Sequence, residues 1–123
     1  MMAEKARIFS DNDILEKILK SNDPKTIKEL GRQISFFDED VWNQRKYDIV
    51  YEGNLLKFSQ DESLKSFILG TENKILVEAS PYDKIWGIGM KQDDVGVRNP
   101  KNWKGQNLLG FALMEVRDAL SCV

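Results

Sequence analysis

Hydrophobic residues recur at helical spacing along most of the chain, so the pattern predicts a mainly helical protein. Most of the predicted helices follow a side chain that can cap the helix by accepting a hydrogen bond from a free backbone N–H. A helix without such a start is expected from Met1 to Phe9. The candidate caps are, in chain order, Asp11 or Asp13, Asp23, Asp38, Asp61 and, for the closing helix, Asn107.

One run of residues has a different pattern. Residues 74–79, with the sequence KILVEA, are β-prone, and Pro81 then prevents further ladder hydrogen bonds. The pattern therefore predicts a small β-sheet within a mainly helical domain, an α+β fold. No repeat, low-complexity tract or linker divides the chain, so residues 1–123 are expected to form a single domain.

The composition limits the possible chemistry. The 18 basic and 20 acidic residues give a net charge of −2, which argues against general binding to nucleic-acid phosphates. The chain has no histidine and one cysteine, Cys122, so histidine-based catalysis, histidine metal sites and an intrachain disulfide are excluded. Without an apolar run of roughly 20 residues or a signal peptide, we expect a cytoplasmic protein.

The residues that follow Pro81 are typical of a binding site. Asp83, Trp86, Gly87 and Gly89 lie close together in the sequence. An indole offers a flat face for stacking, and glycines allow a ligand to approach the backbone. The same residue types are common in turns, so a purely structural role remains the alternative. The aperiodic residues 90–102 are expected to form a lid or specificity loop beside the site.

Three blocks of the sequence resemble the NADAR family of YbiA-like N-glycosidases. In chain order they are residues 1–6 (MMAEKA), residues 78–89 (EASPYDKIWGIG) and residues 103–117 (WKGQNLLGFALMEVR). This is also their order in the family. The resemblance implies a multihelical α+β domain. Because family members normally carry an upstream segment with a strand and a glutamate, it also predicts an N-terminally shortened domain.

The resemblance further implies a reaction and its catalytic residues. The reaction is hydrolysis of an N-glycosidic bond between ribose and a base, in a ribosylamino-pyrimidine of riboflavin biosynthesis or in ADP-ribosylated guanine. Lys5 matches the family lysine that forms a Schiff base, although most helical lysines are merely solvated. Asp83 is expected to orient or polarise the ribose, and Glu78 is a second candidate because paired carboxylates act at glycosidic centres. No metal or cofactor is needed.

The expected ligand is a nucleotide-like small molecule or an ADP-ribosylated nucleic acid, and no membrane partner is expected. Trp86, with Trp103 or Trp42, is predicted to stack the base. Arg45 shares a helix face with Trp42 and could hold a phosphate, although Trp42 is equally interpretable as a core residue. The residues expected to receive phosphate or ribose hydroxyls are Gly87, Gly89 and Asn107 at a helix N-terminus.

Two other classes of function remain open. The chain could be a noncatalytic domain that binds ADP-ribose or another nucleotide, because a glycine-aromatic pocket can survive the loss of the chemistry. It could also be an interaction module without a small-molecule ligand. Binding of ADP-ribose without turnover favours the first, and the absence of any thermal shift with nucleotides favours the second.

Overall fold

In a computed structural model, which describes residues 1–122, the chain is built mainly from α-helices. A short 3₁₀ helix, Pro100–Asn102, lies in the long loop that precedes the last helix. None of the helices among these residues is long and apolar enough to cross a membrane. The α-helices are α1 Met2–Ile8, α2 Asn12–Lys20, α3 Pro24–Arg32, α4 Glu39–Gln60, α5 Glu62–Gly70 and α6 Leu108–Ser121.

The predicted helix starts at aspartate residues are confirmed. Asp11 accepts a hydrogen bond from Ile14 N at 3.1 Å, and Asp23 accepts one from Lys25 N at 3.2 Å. Asp61 does the same for the first turn of α5. Each carboxylate satisfies a backbone N–H that has no partner within its helix, which fixes where the helix begins.

Contacts between residues group the chain into two compact units, Met1–Ile49 and Val50–Val123, and the boundary falls within α4. The first unit has a core supplied by α1, α2 and the residues that directly follow α1 and α3. Trp42 is half-buried and packs against this core. The buried core residues are Ala6, Phe9, Ile14, Ile18 and Ile34.

The second unit has its own core. Ile68 of α5 packs with Val116 and Leu120 of α6, and all three are buried. Half-buried side chains complete this core, among them Tyr51 and Leu55 of α4 and Leu76 of the segment that follows α5. Each unit therefore buries apolar side chains of its own, which is the main source of stability of a folded unit.

The prediction of a small β-sheet, and with it the α+β fold class, is wrong. No strand occurs among residues 1–122, and residues 74–80, which include the predicted strand at residues 74–79, belong to no helix, strand or turn. The physical reason is that side chains of α6 and of Asn107, which directly precedes it, bond to backbone groups of this segment in place of a neighbouring strand. The side chain of Arg117 donates to Lys74 O at 2.7 Å.

The side-chain amide of Asn107 makes the other two contacts with this segment. Its Nδ2 donates to Leu76 O at 3.0 Å, and its Oδ1 accepts from Glu78 N at 3.0 Å. A residue of a parallel partner strand would bond to the same pair of groups. Gly110 allows this approach, because a Cβ there would collide with the carbonyl oxygen of Leu76.

We expect Asn107→Asp to lower the free energy of unfolding by roughly 2–4 kcal/mol, because it removes a buried hydrogen bond and leaves Leu76 O unsatisfied. Asn107 is fully buried, so the new carboxylate would also lose its hydration. Urea denaturation measures the change.

The matched control is Asn99→Asp. Asn99 is exposed and uses only its Oδ1, which accepts from Lys101 N at 3.1 Å, so aspartate keeps that contact. We expect a change within about 0.5 kcal/mol for this variant. Equal losses of stability in the two variants would contradict the role assigned to the Asn107 amide.

Candidate functional site

Lys5 lies at the centre of the first cluster of candidate residues. It projects from α1, and its Nζ donates a hydrogen bond to Gly31 O, at the end of α3, at 3.1 Å. The same Nζ lies 4.6 Å from the ring centroid of Phe37 and 5.5 Å from that of Trp42. We call these four residues the lysine cluster.

Local packing explains why the lysine cluster forms. Gly31 has no side chain, and a Cβ at this position would collide with the side chain of Met2, so α1 and α3 approach closely here. Phe36 has a left-handed φ of 60°, which turns the chain before Phe37. Phe37 then packs edge-to-face on the buried Phe9, with ring centroids 5.1 Å apart.

Partial burial lowers the pKa of Lys5 below the ordinary value of 10.5. The neighbouring acid does not counter this effect, because Glu4 pairs with Arg7. The groups closest to the amine are a neutral carbonyl and two aromatic rings, which stabilise a cation less than a carboxylate would. Lys5 therefore carries a larger neutral fraction near neutral pH than a solvated lysine does.

The second group of candidate residues lies in a turn of the second unit. Asp83 Oδ1 accepts hydrogen bonds from Ile85 N at 3.0 Å and from Trp86 N at 2.8 Å. The other carboxylate oxygen of Asp83 contacts no donor among residues 1–122. The turn thus holds a half-buried carboxylate in one orientation and leaves one of its oxygens available.

Backbone hydrogen bonds join this turn to the start of α6. The carbonyl oxygens of residues 84–88 accept hydrogen bonds from the backbone N–H groups of residues 104 and 106–109, at 2.8–3.1 Å. Two of these donors, Leu108 N and Leu109 N, belong to the first turn of α6 and bond to the carbonyls of Ile85 and Trp86. The N-terminus of α6 is therefore capped by the turn, and these N–H groups are not available to a phosphate.

The glycines of the turn, Gly87 and Gly89, lie close to backbone atoms of other residues. A Cβ on Gly87 would meet Asp83 O at 2.8 Å and Glu78 O at 2.9 Å. Gly89 has a φ of 68°, in the left-handed region that favours glycine. Asn107 donates its backbone N–H to Gly87 O at 2.9 Å, in addition to the two contacts of its side chain. These contacts support the alternative interpretation of these residues, in which they shape the chain.

The long loop of the second unit borders a cavity of about 330 Å³, which we call the loop cavity. One wall is formed by the side of the segment 74–80 that carries Ile75, Val77 and Ala79. Trp103 also lines the cavity, and its Nε1 donates to Val97 O at 2.7 Å. Gln92 and Arg98 of the loop supply its polar groups.

The structure brings together some of the residues predicted for the site. In the first unit Lys5 contacts Trp42, while Arg45 is exposed on α4. In the second unit Asp83 and the half-buried Trp86 share one turn, and the backbone of Glu78 bonds to Ile88 N at 3.0 Å. The carboxylate of Glu78 has no partner among the described residues.

Sequence reasoning missed several residues of these sites. Phe37 and the carbonyl of Gly31 belong to no motif, and only the close approach of α1 and α3 gives them a role beside Lys5. Gln92 and Arg98 lie in the loop that was expected to determine specificity, but nothing in their spacing singled them out.

Comparison with known proteins identifies the family. A NADAR domain matches residues 1–121, so one domain match covers the first compact unit and nearly all of the second. The chain belongs to the NADAR family, and the family predicted from the three sequence blocks is confirmed.

Three relatives show how far the similarity extends. N-glycosidase R617 of Acanthamoeba polyphaga mimivirus is 48% identical over 119 residues, which are 96% of this chain and 69% of that protein. N-glycosidase YbiA of Shigella boydii is 30% identical over 116 residues, 94% of this chain and 66% of that protein. The riboflavin biosynthesis protein PYRR of Zea mays is 32% identical over 112 residues, 88% of this chain and 16% of that protein.

The chain thus spans about two thirds of the length of the two N-glycosidases and a small part of PYRR. Two of the three names agree with the enzyme class predicted from the sequence, a hydrolase that acts on N-glycosyl compounds.

We expect Phe37→Ala to raise the pKa of Lys5 towards 10.5, because removal of the ring gives the amine access to water. The pKa can be read from the pH dependence of the Lys5 side-chain NMR signals. Phe36→Ala is the matched control, since the Phe36 side chain is 86% exposed, and it should leave the titration unchanged. An equal pKa in wild type and Phe37→Ala would show that the ring does not desolvate the amine.

Proposed function

We propose that this chain hydrolyses an N-glycosidic bond between ribose and a nucleobase, with Lys5 as the nucleophile. The observation that carries the proposal is the half-buried Lys5, whose amine lies close to the rings of Phe37 and Trp42 and has a lowered pKa. A neutral amine attacks electrophilic carbon, whereas an ammonium ion does not. Membership of the NADAR family and the names of two relatives support this class of reaction.

In the proposed reaction the ribose ring opens: the bond from C1 to the ring oxygen breaks, this oxygen takes a proton, and C1 becomes doubly bonded to the base nitrogen. The neutral amine of Lys5 adds to C1, and the C1–N double bond becomes a single bond. The bond from C1 to the base nitrogen then breaks, the base leaves with a proton that Nζ loses, and an imine remains between C1 and Nζ. Water adds to C1 of this imine. The C1–Nζ bond breaks, the sugar leaves as an aldehyde and Lys5 regains its amine, so the sum of the steps is hydrolysis.

The two carboxylates are proposed to assist at the ribose. Asp83 would orient or polarise the ribose by accepting a hydrogen bond from a hydroxyl, a role that suits its unpartnered oxygen. Glu78 is proposed to exchange a proton with the leaving base or with the attacking water. Its carboxylate is half-buried and unpaired among residues 1–122, so it is available for proton transfer.

The proposed base-stacking residues are Trp86 with Trp103 or Trp42, and Arg45 is proposed to bind phosphate. The exposed guanidinium of Arg45 is suited to this, because arginine forms paired hydrogen bonds with phosphate oxygens. Ligand binding by Gly87, Gly89 and Asn107 stays a prediction, and their contacts with neighbouring backbone groups support a role in shaping the turn.

Two substrates fit the proposed chemistry. One is a ribosylamino-pyrimidine of riboflavin biosynthesis, which the name of the relative PYRR supports. The other is guanine that carries ADP-ribose, free or within a nucleic acid. In both, a ribose is joined to a nitrogen of a planar base.

The proposal predicts release of free base and free sugar from at least one substrate in a panel of ribosylamino-pyrimidine phosphate and ADP-ribosylated guanosine, detected by mass spectrometry. Lys5→Ala should abolish release. Lys5→Arg should be equally inactive, because a guanidinium keeps the charge but is not a nucleophile. Asp83→Ala should lower the rate by about 100-fold, the size of a typical contribution from a polarising group.

Lys28→Ala is the matched control, because Lys28 is an exposed lysine on α3, outside the lysine cluster. It should keep wild-type activity. A folded wild-type protein that binds ADP-ribose with one-to-one stoichiometry but releases neither product would contradict the proposal, and would favour the noncatalytic nucleotide-binding alternative.

A further inference from the structure

We propose that the loop cavity of the second unit binds the planar heterocycle and an anionic group of the substrate. The inference rests on the proposed function only for the kind of ligand, a nitrogen heterocycle linked to a phosphorylated sugar. The cavity itself shares no lining residue with the lysine cluster or with the turn that contains Asp83.

The size and lining of the loop cavity suit a small organic ligand. Its volume of about 330 Å³ lies within the range of roughly 300–1,000 Å³ that ligand pockets occupy. Most of its lining is apolar, with a small number of polar groups, which is the usual composition of such pockets. The apolar wall is available, because Ile75 is 62% exposed and Val77 is 42% exposed.

The apolar wall follows from the way in which α6 holds the segment 74–80. Leu76 packs into the second core, whereas Ile75, Val77 and Ala79 line the cavity, so alternate residues face opposite sides as in an extended chain. Asn107 engages the backbone of Leu76 and Glu78. The backbone N–H and C=O of Val77 have no partner among the described residues, and they can pair with the polar edge of a heterocycle.

Trp103 supplies a fixed aromatic surface. Its indole N–H is engaged by Val97 O at 2.7 Å, so the ring is held in one orientation and does not have to be ordered when a ligand binds. A nitrogen heterocycle can stack on such an indole, because nucleobases stack on aromatic side chains independently of their hydrogen-bonding pattern.

Arg98 supplies the positive charge of the loop cavity. It is the charged residue among those that line the loop cavity. Asp93 and Asp94 line a neighbouring concavity of about 340 Å³ that shares Gln92, Val97 and Arg98. Neither carboxylate forms an ion pair with Arg98 within the described chain, so its guanidinium can bind a phosphate or carboxylate.

The test uses adenosine monophosphate as the probe, with adenosine and inorganic phosphate as separate arms. Binding is followed through the indole N–H signal of Trp103 in ¹H–¹⁵N NMR spectra, assigned with the Trp103→Phe variant. We expect a saturable shift of this signal with the monophosphate, weaker binding of adenosine, and no comparable shift with phosphate alone.

Two variants that each remove one positive charge from the same loop form the matched pair. Arg98→Gln should raise the Kd for the monophosphate by about 10-fold or more and leave that for adenosine unchanged, because it removes a charge-assisted hydrogen bond. Lys101→Gln, at an exposed residue outside the cavity, should change the Kd by less than about 2-fold.

The absence of a saturable shift of the Trp103 signal up to roughly 10 mM monophosphate would overturn the inference. Equal effects of the two variants, or equal binding of adenosine and its monophosphate, would overturn the assignment of the anion to Arg98. Because the probe is read by binding and not by turnover, this test is independent of the release assay. Product release without a shift of the Trp103 signal would refute only the proposed binding in the loop cavity. A shift without product release would refute only the proposed hydrolysis.

Discussion

The second unit depends on the fully buried Asn107, at the start of α6. Its side-chain amide bonds to the backbone of Leu76 and Glu78, and its own N–H bonds to Gly87 O. One residue thereby joins the segment 74–80, the turn that carries Asp83 and Trp86, and the last helix. The two longest sequence blocks of the family, residues 78–89 and 103–117, consequently form one structural unit in which the second block supports the backbone of the first.

The lysine cluster of the first unit suits the nucleophilic role proposed for Lys5. Its amine lies beside a carbonyl and two aromatic rings, and partial burial lowers its pKa below the ordinary value. The contrast with Asp11 is informative. Hydrogen bonds from Ser35 N and Ile14 N hold the pKa of that carboxyl below its usual value, so Asp11 stays ionised and supports the fold.

The sequence predicted the structure correctly where an interaction between neighbouring residues determines it. Capping aspartates marked the starts of α2, α3 and α5. The sheet was wrongly predicted because β-propensity at residues 74–79 reports an extended chain but not its partner, and that partner is an amide 29 residues from Glu78. Candidate glycines were identified, but their close contact with backbone oxygens depends on tertiary structure and could not be inferred from spacing.

The nucleophilic role proposed for Lys5 requires a covalent imine between its Nζ and the sugar. The most direct measurement is reduction with borohydride during turnover, followed by peptide mass mapping, because reduction converts a transient imine into a stable secondary amine. We expect to find the mass of the reduced sugar on the peptide that contains Lys5. Release of base with no adduct on any lysine, or an adduct on a lysine other than Lys5, would contradict it.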